Sequence, residues 1–194
     1  MEQNKQFYII SGCNGAGKTT ASYSLLPDVL GCKEFVNADE IAKGLSPFQP
    51  EKVTYKAGRI LLKRMQELMD KGETLAVETT LATRTYRDKI HYAKEKGYFV
   101  TVIFFWLQSI ELAKQRVKER VLNGGHNVEN EVIERRYERG IKNLFDIYLS
   151  LADRVLIFDN SEGISELIAR KNIDSEIIII NSNKFQKLID YAKK

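Results

Sequence analysis

A chain of 194 residues, 43% hydrophobic and 29% charged, is long enough for one domain with a substantial core and ordinary in composition for a soluble globular protein. Its net charge of +4 is modest and spread along the chain, so a site for anionic phosphates explains it as well as a nucleic-acid surface would. Two cysteines, no apolar leader and no apolar run of bilayer length exclude a disulfide scaffold and a membrane span, and predict a soluble, unprocessed protein of a reducing, cytoplasmic setting.

The first predicted strand, from about Gln6 to Ser11, runs into Gly12-Cys13-Asn14-Gly15-Ala16-Gly17-Lys18-Thr19, and a helical segment begins at Thr20. Strand, glycine-rich turn and helix, in that order, are what the G-x-x-x-x-G-K-[ST] phosphate loop (the Walker A motif) requires. The glycines allow a sharp turn that gathers several N–H groups, and the positive end of the helix dipole adds to the attraction for phosphate. Gly12 through Thr20 are therefore candidate nucleotide-binding residues, with Lys18 on the β- and γ-phosphates and the Thr19 hydroxyl on Mg²⁺. A thiol at Cys13, facing amides, is expected to favour its thiolate and, if exposed, to react with alkylating agents. Pro27 is expected to end the helix.

Glu34 to Asn37 reads as a second, short strand, with Asp39 just beyond its end. Ser46-Pro47-Phe48-Gln49-Pro50 breaks the chain. A long helix follows, with Val53, Ala57, Ile60, Leu61, Met65 and Leu68 at helical spacing and Gly72 as its stop. The third strand, Thr74 to Glu78, leads into Thr79-Thr80, and a helix from about Arg84 to Lys96 ends at Gly97. Tyr98 to Trp106 is nearly all apolar or β-branched, as in a strand covered on both faces. Ser109 is a candidate N-cap for a helix that carries Arg116 and Arg120 and closes at Asn123-Gly124-Gly125. A helix over about 130–149 puts Ile133, Tyr137, Ile141, Leu144 and Tyr148 on one face, and Arg154 to Asp159 is the fifth strand. In the tail, Ile177 to Ile180 reads as a strand, Leu167-Ile168-Ala169 as its hairpin partner or a turn of helix, and Phe185 to Tyr191 as a final helix.

Strands alternating with helices predict an α/β fold, a single domain over 1–194 with a mostly parallel central sheet and helices on both faces. Ligands of such sheets bind outside the carboxyl ends of the strands. The phosphate loop, Asp39, Glu78, Thr80, Asp159 and Asn160 all fall there.

Most of these residues admit two readings. Asp39 fits the N-cap of a short helix, and equally a general base that takes the proton of an attacking hydroxyl. Glu78-Thr79-Thr80 caps the next segment, or else sets a carboxylate facing the loop, where it meets a metal's water shell or a substrate hydroxyl. Arg116 and Arg120 share a helix face, and Arg135 and Arg136 follow the link Gly124-Gly125-His126-Asn127. These arginines are solvated helix charges, or the two arms of a lid over about 109–140 that closes over phosphates. His126 hydrogen-bonds substrate or fixes the hinge. Tyr23, Phe48, Tyr55, Tyr86 and Tyr92 read as core or cleft lining, not as a base-stacking platform, which disfavours nucleic acid as a partner.

Gly12–Thr20, Asn37-Ala38-Asp39-Glu40, Glu78-Thr79-Thr80-Leu81, Arg120-Val121 with Gly124-Gly125-His126, Arg135-Arg136-Tyr137 and Asp159-Asn160-Ser161 together resemble the zeta-toxin-type P-loop kinases, in their shorter, single-domain branch. The resemblance covers nearly the whole chain. It implies a P-loop kinase fold and phosphoryl transfer from ATP or GTP, with Mg²⁺, to a hydroxyl of a small molecule. The best-studied members use UDP-N-acetylglucosamine. By the same resemblance Asp39 is the base, and Glu78, Thr79, Thr80 and His126 face the acceptor, with Glu78 also reaching Mg²⁺ through water. Arg120 and one of Arg135 or Arg136 clamp the transferred group, while Arg116 and Asn160 lie at the nucleotide. An antitoxin is the implied protein partner. The larger toxins carry additional elements around the sugar-nucleotide pocket, for which this chain has little room. Two other functions stand beside this one: a nucleotide-dependent switch acting through a protein partner, and a polynucleotide 5′-hydroxyl kinase, which would need a basic groove leading to Asp39.

Overall fold

The apolar run near the start of the chain becomes β1 (Gln6–Gly12), and six further strands follow it: β2 (Glu34–Val36), β3 (Leu75–Thr79), β4 (Phe99–Trp106), β5 (Arg154–Asp159), β6 (Glu166–Asn172) and β7 (Ile178–Ile179). They form one seven-stranded sheet in the order β2-β3-β1-β4-β5-β6-β7. The five strands from β2 to β5 are parallel, and β6 and β7 are added antiparallel at one edge. The computed structural model describes residues 5–125 and 127–193.

The central position of β1 follows from its side chains. Phe7 to Gly12 are buried without interruption, and β4 is buried from Val100 to Trp106, so both faces of the sheet are covered. The covering helices are α1 (Lys18–Ser24), α2 (Ala38–Leu45), α3 (Thr54–Lys71), α4 (Thr85–Glu95), α5 (Ile110–Leu122), α6 (Asn130–Asn143), the short α7 (Leu149–Leu151) and α8 (Ser182–Ala192). α3 shows how spacing selects a face: Ala57, Leu61, Met65, Leu68 and Met69 are buried, and Gly72 stops the helix at φ 75°. Ile60, expected among the apolar positions, is instead half-exposed. Among the described residues, no helix is long and apolar enough to cross a membrane.

Two expectations are corrected here. Pro27 does not end the first helix, which widens and runs on through Leu25–Val29. The Leu30 N–H reaches back five residues to the Leu25 carbonyl at 3.0 Å, and a widened turn makes room for a ring that would strike the carbonyl four residues back. In the tail, Leu167-Ile168-Ala169 belongs to β6, which pairs with both β5 and β7, so the turn-of-helix alternative falls. α8 starts at Ser182, earlier than expected, because the Asn181 side chain caps it by accepting the Lys184 N–H at 3.1 Å.

α6 locks onto the sheet through one buried polar pair. The Trp106 indole donates to the Tyr137 hydroxyl at 3.0 Å, and that hydroxyl donates to the Leu107 carbonyl. Both aromatic side chains are 1% exposed. Tyr137→Phe should therefore leave two buried polar groups without a partner and lower unfolding free energy by about 1–3 kcal/mol in a urea titration. An unchanged urea midpoint would show that the pair contributes nothing.

Candidate active site

The loop between β1 and α1 is shaped by close backbone approaches. Gly12 has φ 134°, and a Cβ there would lie 2.0 Å from the Phe105 carbonyl oxygen, so no other residue fits beside β4. Gly17 has φ 79°, and its missing Cβ leaves space that the Asn160 amide occupies. Three braces hold the loop's own polar groups. The Lys18 ammonium donates to the Cys13 carbonyl at 2.9 Å, Arg136 donates to the Asn14 side chain at 3.3 Å, and Asn160 donates to the Ala16 carbonyl at 2.8 Å. Thr19 is partly buried and Thr20 exposed.

Glu78 stands at the carboxyl end of β3 and draws three segments together. It accepts from the Thr19 hydroxyl at 2.8 Å and from the Asn37 amide at 2.9 Å, and its second oxygen lies 3.7 Å from the Lys18 ammonium. The other end of Asn37 accepts the N–H groups of Asp39 and Glu40 at 2.8 and 3.4 Å, so Asn37, not Asp39, is the N-cap of α2. That corrects the capping alternative for Asp39. Its carboxylate instead lines a cleft of ≈ 740 Å³ together with Asn14, Lys18, Glu78, Thr79, Thr80 and Arg136.

The arginines separate. Arg136 lines the cleft, where burial lowers its pKa and the facing Asp39 carboxylate works the other way, whereas its neighbour Arg135 is exposed. Arg116 spends two donors, each at 2.8 Å, on the carbonyls of Asn160 and Ser161, which ties α5 to the turn after β5. Arg120, near the end of α5, packs under Gly125 and is not among the residues lining the cleft. His126 lies outside the described residues. The lid expected over 109–140 is narrowed by these contacts. α5 buries Ala113 and Val117, and α6 buries Ile133, Tyr137, Gly140 and Ile141, so Arg136 projects from a helix anchored in the core.

The segment after β3 is clamped from α6 and from the turns that follow it at 144–148. A Cβ on Gly140 would lie 2.5 Å from the Thr80 carbonyl oxygen, and Asn143 and Tyr148 donate to the Leu81 and Thr83 carbonyls at 2.7 and 3.1 Å. Leu81 is held at φ 55°, a left-handed conformation that costs a non-glycine residue about 1–2 kcal/mol. The Thr79 hydroxyl accepts the Leu81 N–H at 3.1 Å and so serves this turn.

Cys13 corrects another expectation. Its thiol is 6% exposed, and burial, against the pull of Lys18, pushes its pKa up to about 11, so the thiolate is not favoured. Tyr55 lines the cleft, as one reading of it has it, whereas Asn37 and Arg59 are cleft residues to which the sequence assigns no role. Asn37 carried a readable signal, since an asparagine followed by acids two and three positions on marks a helix start. Arg59 carried none, because an arginine on an amphipathic helix is indistinguishable from a solvated one.

The zeta toxin family matches residues 1–184. The chain belongs to that family. A Haemophilus influenzae protein, itself uncharacterized, is 27% identical over 135 residues, which is 70% of this chain and 94% of that one. The AvrRxo1-ORF1:-ORF2 structure with ATP superposes with a TM-score of 0.77 at 18% identity, over 96% of this chain and 64% of that chain. This zeta toxin family member thus spans less than two thirds of that chain's length. A structure of the PezAT chromosomal toxin–antitoxin system of Streptococcus pneumoniae superposes with a TM-score of 0.63 at 17% identity, over 100% of this chain and 90% of that chain. The fold is that of the P-loop kinases, with a mostly parallel sheet.

Two outcomes follow from the geometry. Arg136→Ala, which removes a cation lining the cleft, should lower turnover by about tenfold or more, and Arg135→Ala should leave turnover within a few-fold of the parent. Equal losses in steady-state assays would contradict the separation of the two side chains. Burial raises the Cys13 pKa and shields its thiol, so iodoacetamide should label it only after unfolding; mass spectrometry of native and urea-treated protein reads this directly.

Proposed function

We propose that this chain is a phosphotransferase that moves the γ-phosphoryl group of ATP, or GTP, onto a hydroxyl of a small molecule. The observation that carries the reading is the cleft itself, in which Asp39 and Arg136 face each other beside Lys18 and Glu78 at the phosphate loop. An acceptor hydroxyl within reach of Asp39 gives up its proton to that carboxylate as it attacks. Lys18 and Arg136 sit where negative charge accumulates on the transferred group, and the protein's part is positioning and charge stabilisation. A neighbouring AvrRxo1-ORF1:-ORF2 structure carries ATP, which supports that donor.

Mg²⁺ fits the residues present. Thr19 and Glu78 offer hard oxygen donors side by side, and no cluster of three or more His, Cys, Asp or Glu exists among the described residues. A donor set this small suits a cation carried mainly by nucleotide phosphates and water, whose charge would offset that of the triphosphate. Thr19 would hold it directly and Glu78 through water.

The acceptor end of the cleft supports a polar acceptor bearing its own negative charge, of which a nucleotide sugar such as UDP-N-acetylglucosamine is one. Thr54, Thr80, Thr83 and Thr85 line it, and Arg59 has no ionic or hydrogen-bond partner among the described residues. Lys18, Arg59 and Arg136 are the cations lining the cleft, beside Asp39 and Glu78, which gives no basic groove for a polynucleotide. By analogy with the PezAT system an antitoxin is the expected protein partner. Both cysteines are buried and unpaired, in keeping with a reducing, cytoplasmic setting.

The reading is tested by an acceptor screen with ATP and Mg²⁺, in which mass spectrometry detects the gain of one phosphoryl group. Asp39→Asn should keep ATP binding and the fold while slowing transfer by about 10²–10⁴-fold. Lys18→Ala should lose ATP binding and turnover together. Transfer at the parental rate by Asp39→Asn would remove Asp39 from the chemistry, and labelling of 5′-hydroxyl oligonucleotides alone would replace the small-molecule reading.

A further inference from the structure

α8 reaches the turn beside the phosphate loop through an ion pair to a buried carboxylate. β5 ends in Asp159, which is 1% exposed. One of its carboxylate oxygens accepts from the Lys184 ammonium at 2.7 Å and from the Gln108 amide at 2.9 Å. The other accepts from the N–H of Ser161 at 3.0 Å and from its hydroxyl. Burial works against the charge on Asp159, yet the hydrogen bonds from Lys184, Ser161 and Gln108 outweigh it and hold the carboxyl below its ordinary range.

Between these anchored residues stands Asn160. Its amide donates to the Ala16 carbonyl at 2.8 Å and would meet a Cβ on Gly17 at 2.6 Å, so it is packed against the phosphate loop. Its own carbonyl is held by Arg116 at 2.8 Å. Lys184 is fixed in turn, donating to Glu166 at 2.7 Å from a helix whose Phe185 and Leu188 are buried.

We propose that Lys184 is a positioning residue of the nucleotide site: by neutralising Asp159 it fixes the 159–161 turn, and through Asn160 it fixes the phosphate loop. The inference rests on the kinase reading above. A buried carboxylate that loses its cation is strongly unfavourable, and opening of the turn to admit water relieves it. That opening withdraws Asn160 from Ala16. Phe185 and Leu188, buried on α8, hold Lys184 in place over Asp159.

The test titrates the full chain with a fluorescent ATP analogue and Mg²⁺ and measures turnover at saturating ATP. Lys184→Met should weaken binding by about two- to thirtyfold while kcat at saturation changes little. Adding Asp159→Asn to it should return affinity close to the parent, because the uncompensated charge is gone while an acceptor oxygen remains for Ser161. Lys184→Arg should bind as the parent does. If Lys184→Met does not fold, the double variant decides: restored affinity supports the inference, and weak binding by a folded double variant overturns it. Parental affinity in folded Lys184→Met also overturns it, since α8 would then serve stability alone. Failure of the unaltered chain to bind the analogue would instead remove the kinase reading, and this inference with it.

Discussion

One carboxylate holds the site together. Glu78 is partly buried at the end of β3, and a carboxylate drawn away from water needs hydrogen-bond donors and a nearby cation. Thr19, Asn37 and Lys18 meet that need, and they come from the segments that follow β1 and β2. The ends of three adjacent parallel strands are thus drawn to one point. Asn37 donates to Glu78 from its amide nitrogen while its oxygen caps α2, so both contacts fix one side chain. The same side chain therefore sets the direction in which α2 leaves the sheet, and with it the place of Asp39.

The opposite wall of the cleft depends on α6. One helix supplies Arg136 to the phosphate loop, and its Gly140 and Asn143 hold the turn after β3. The strain stored at Leu81 persists because that helix over-determines the turn. With its apolar face locked by the Trp106–Tyr137 pair, α6 behaves as part of the scaffold, so the charge it presents is placed in advance of any ligand.

Much of this was legible in the sequence, and the exceptions have physical causes. The phosphate loop and the five parallel strands were readable because glycine spacing and unbroken apolar runs report backbone needs directly. Asp39 stayed ambiguous because an acid just beyond a strand end satisfies both a helix start and a cleft; only the position of Asn37 decides. Arg135 and Arg136 are sequence neighbours about 100° apart on a helix, and the buried stripe of Ile133, Tyr137 and Ile141 determines which one turns inward. The Cys13 thiol was misjudged because proximity to amides says nothing about burial, and burial dominates its proton affinity. Lys184 was invisible, since its partner lies 25 residues earlier in the chain, on a different element of the sheet.

The topology also sets an order of assembly. β1 pairs with β3 and β4, whose residues come some 70 to 90 positions later, and the braces on Asn14 and Ala16 arrive from Arg136 and Asn160. A chain emerging from the ribosome therefore carries its phosphate loop from the outset but cannot complete its bracing until residue 160 is available. The segment synthesised among the first is thus among the last to gain all its contacts.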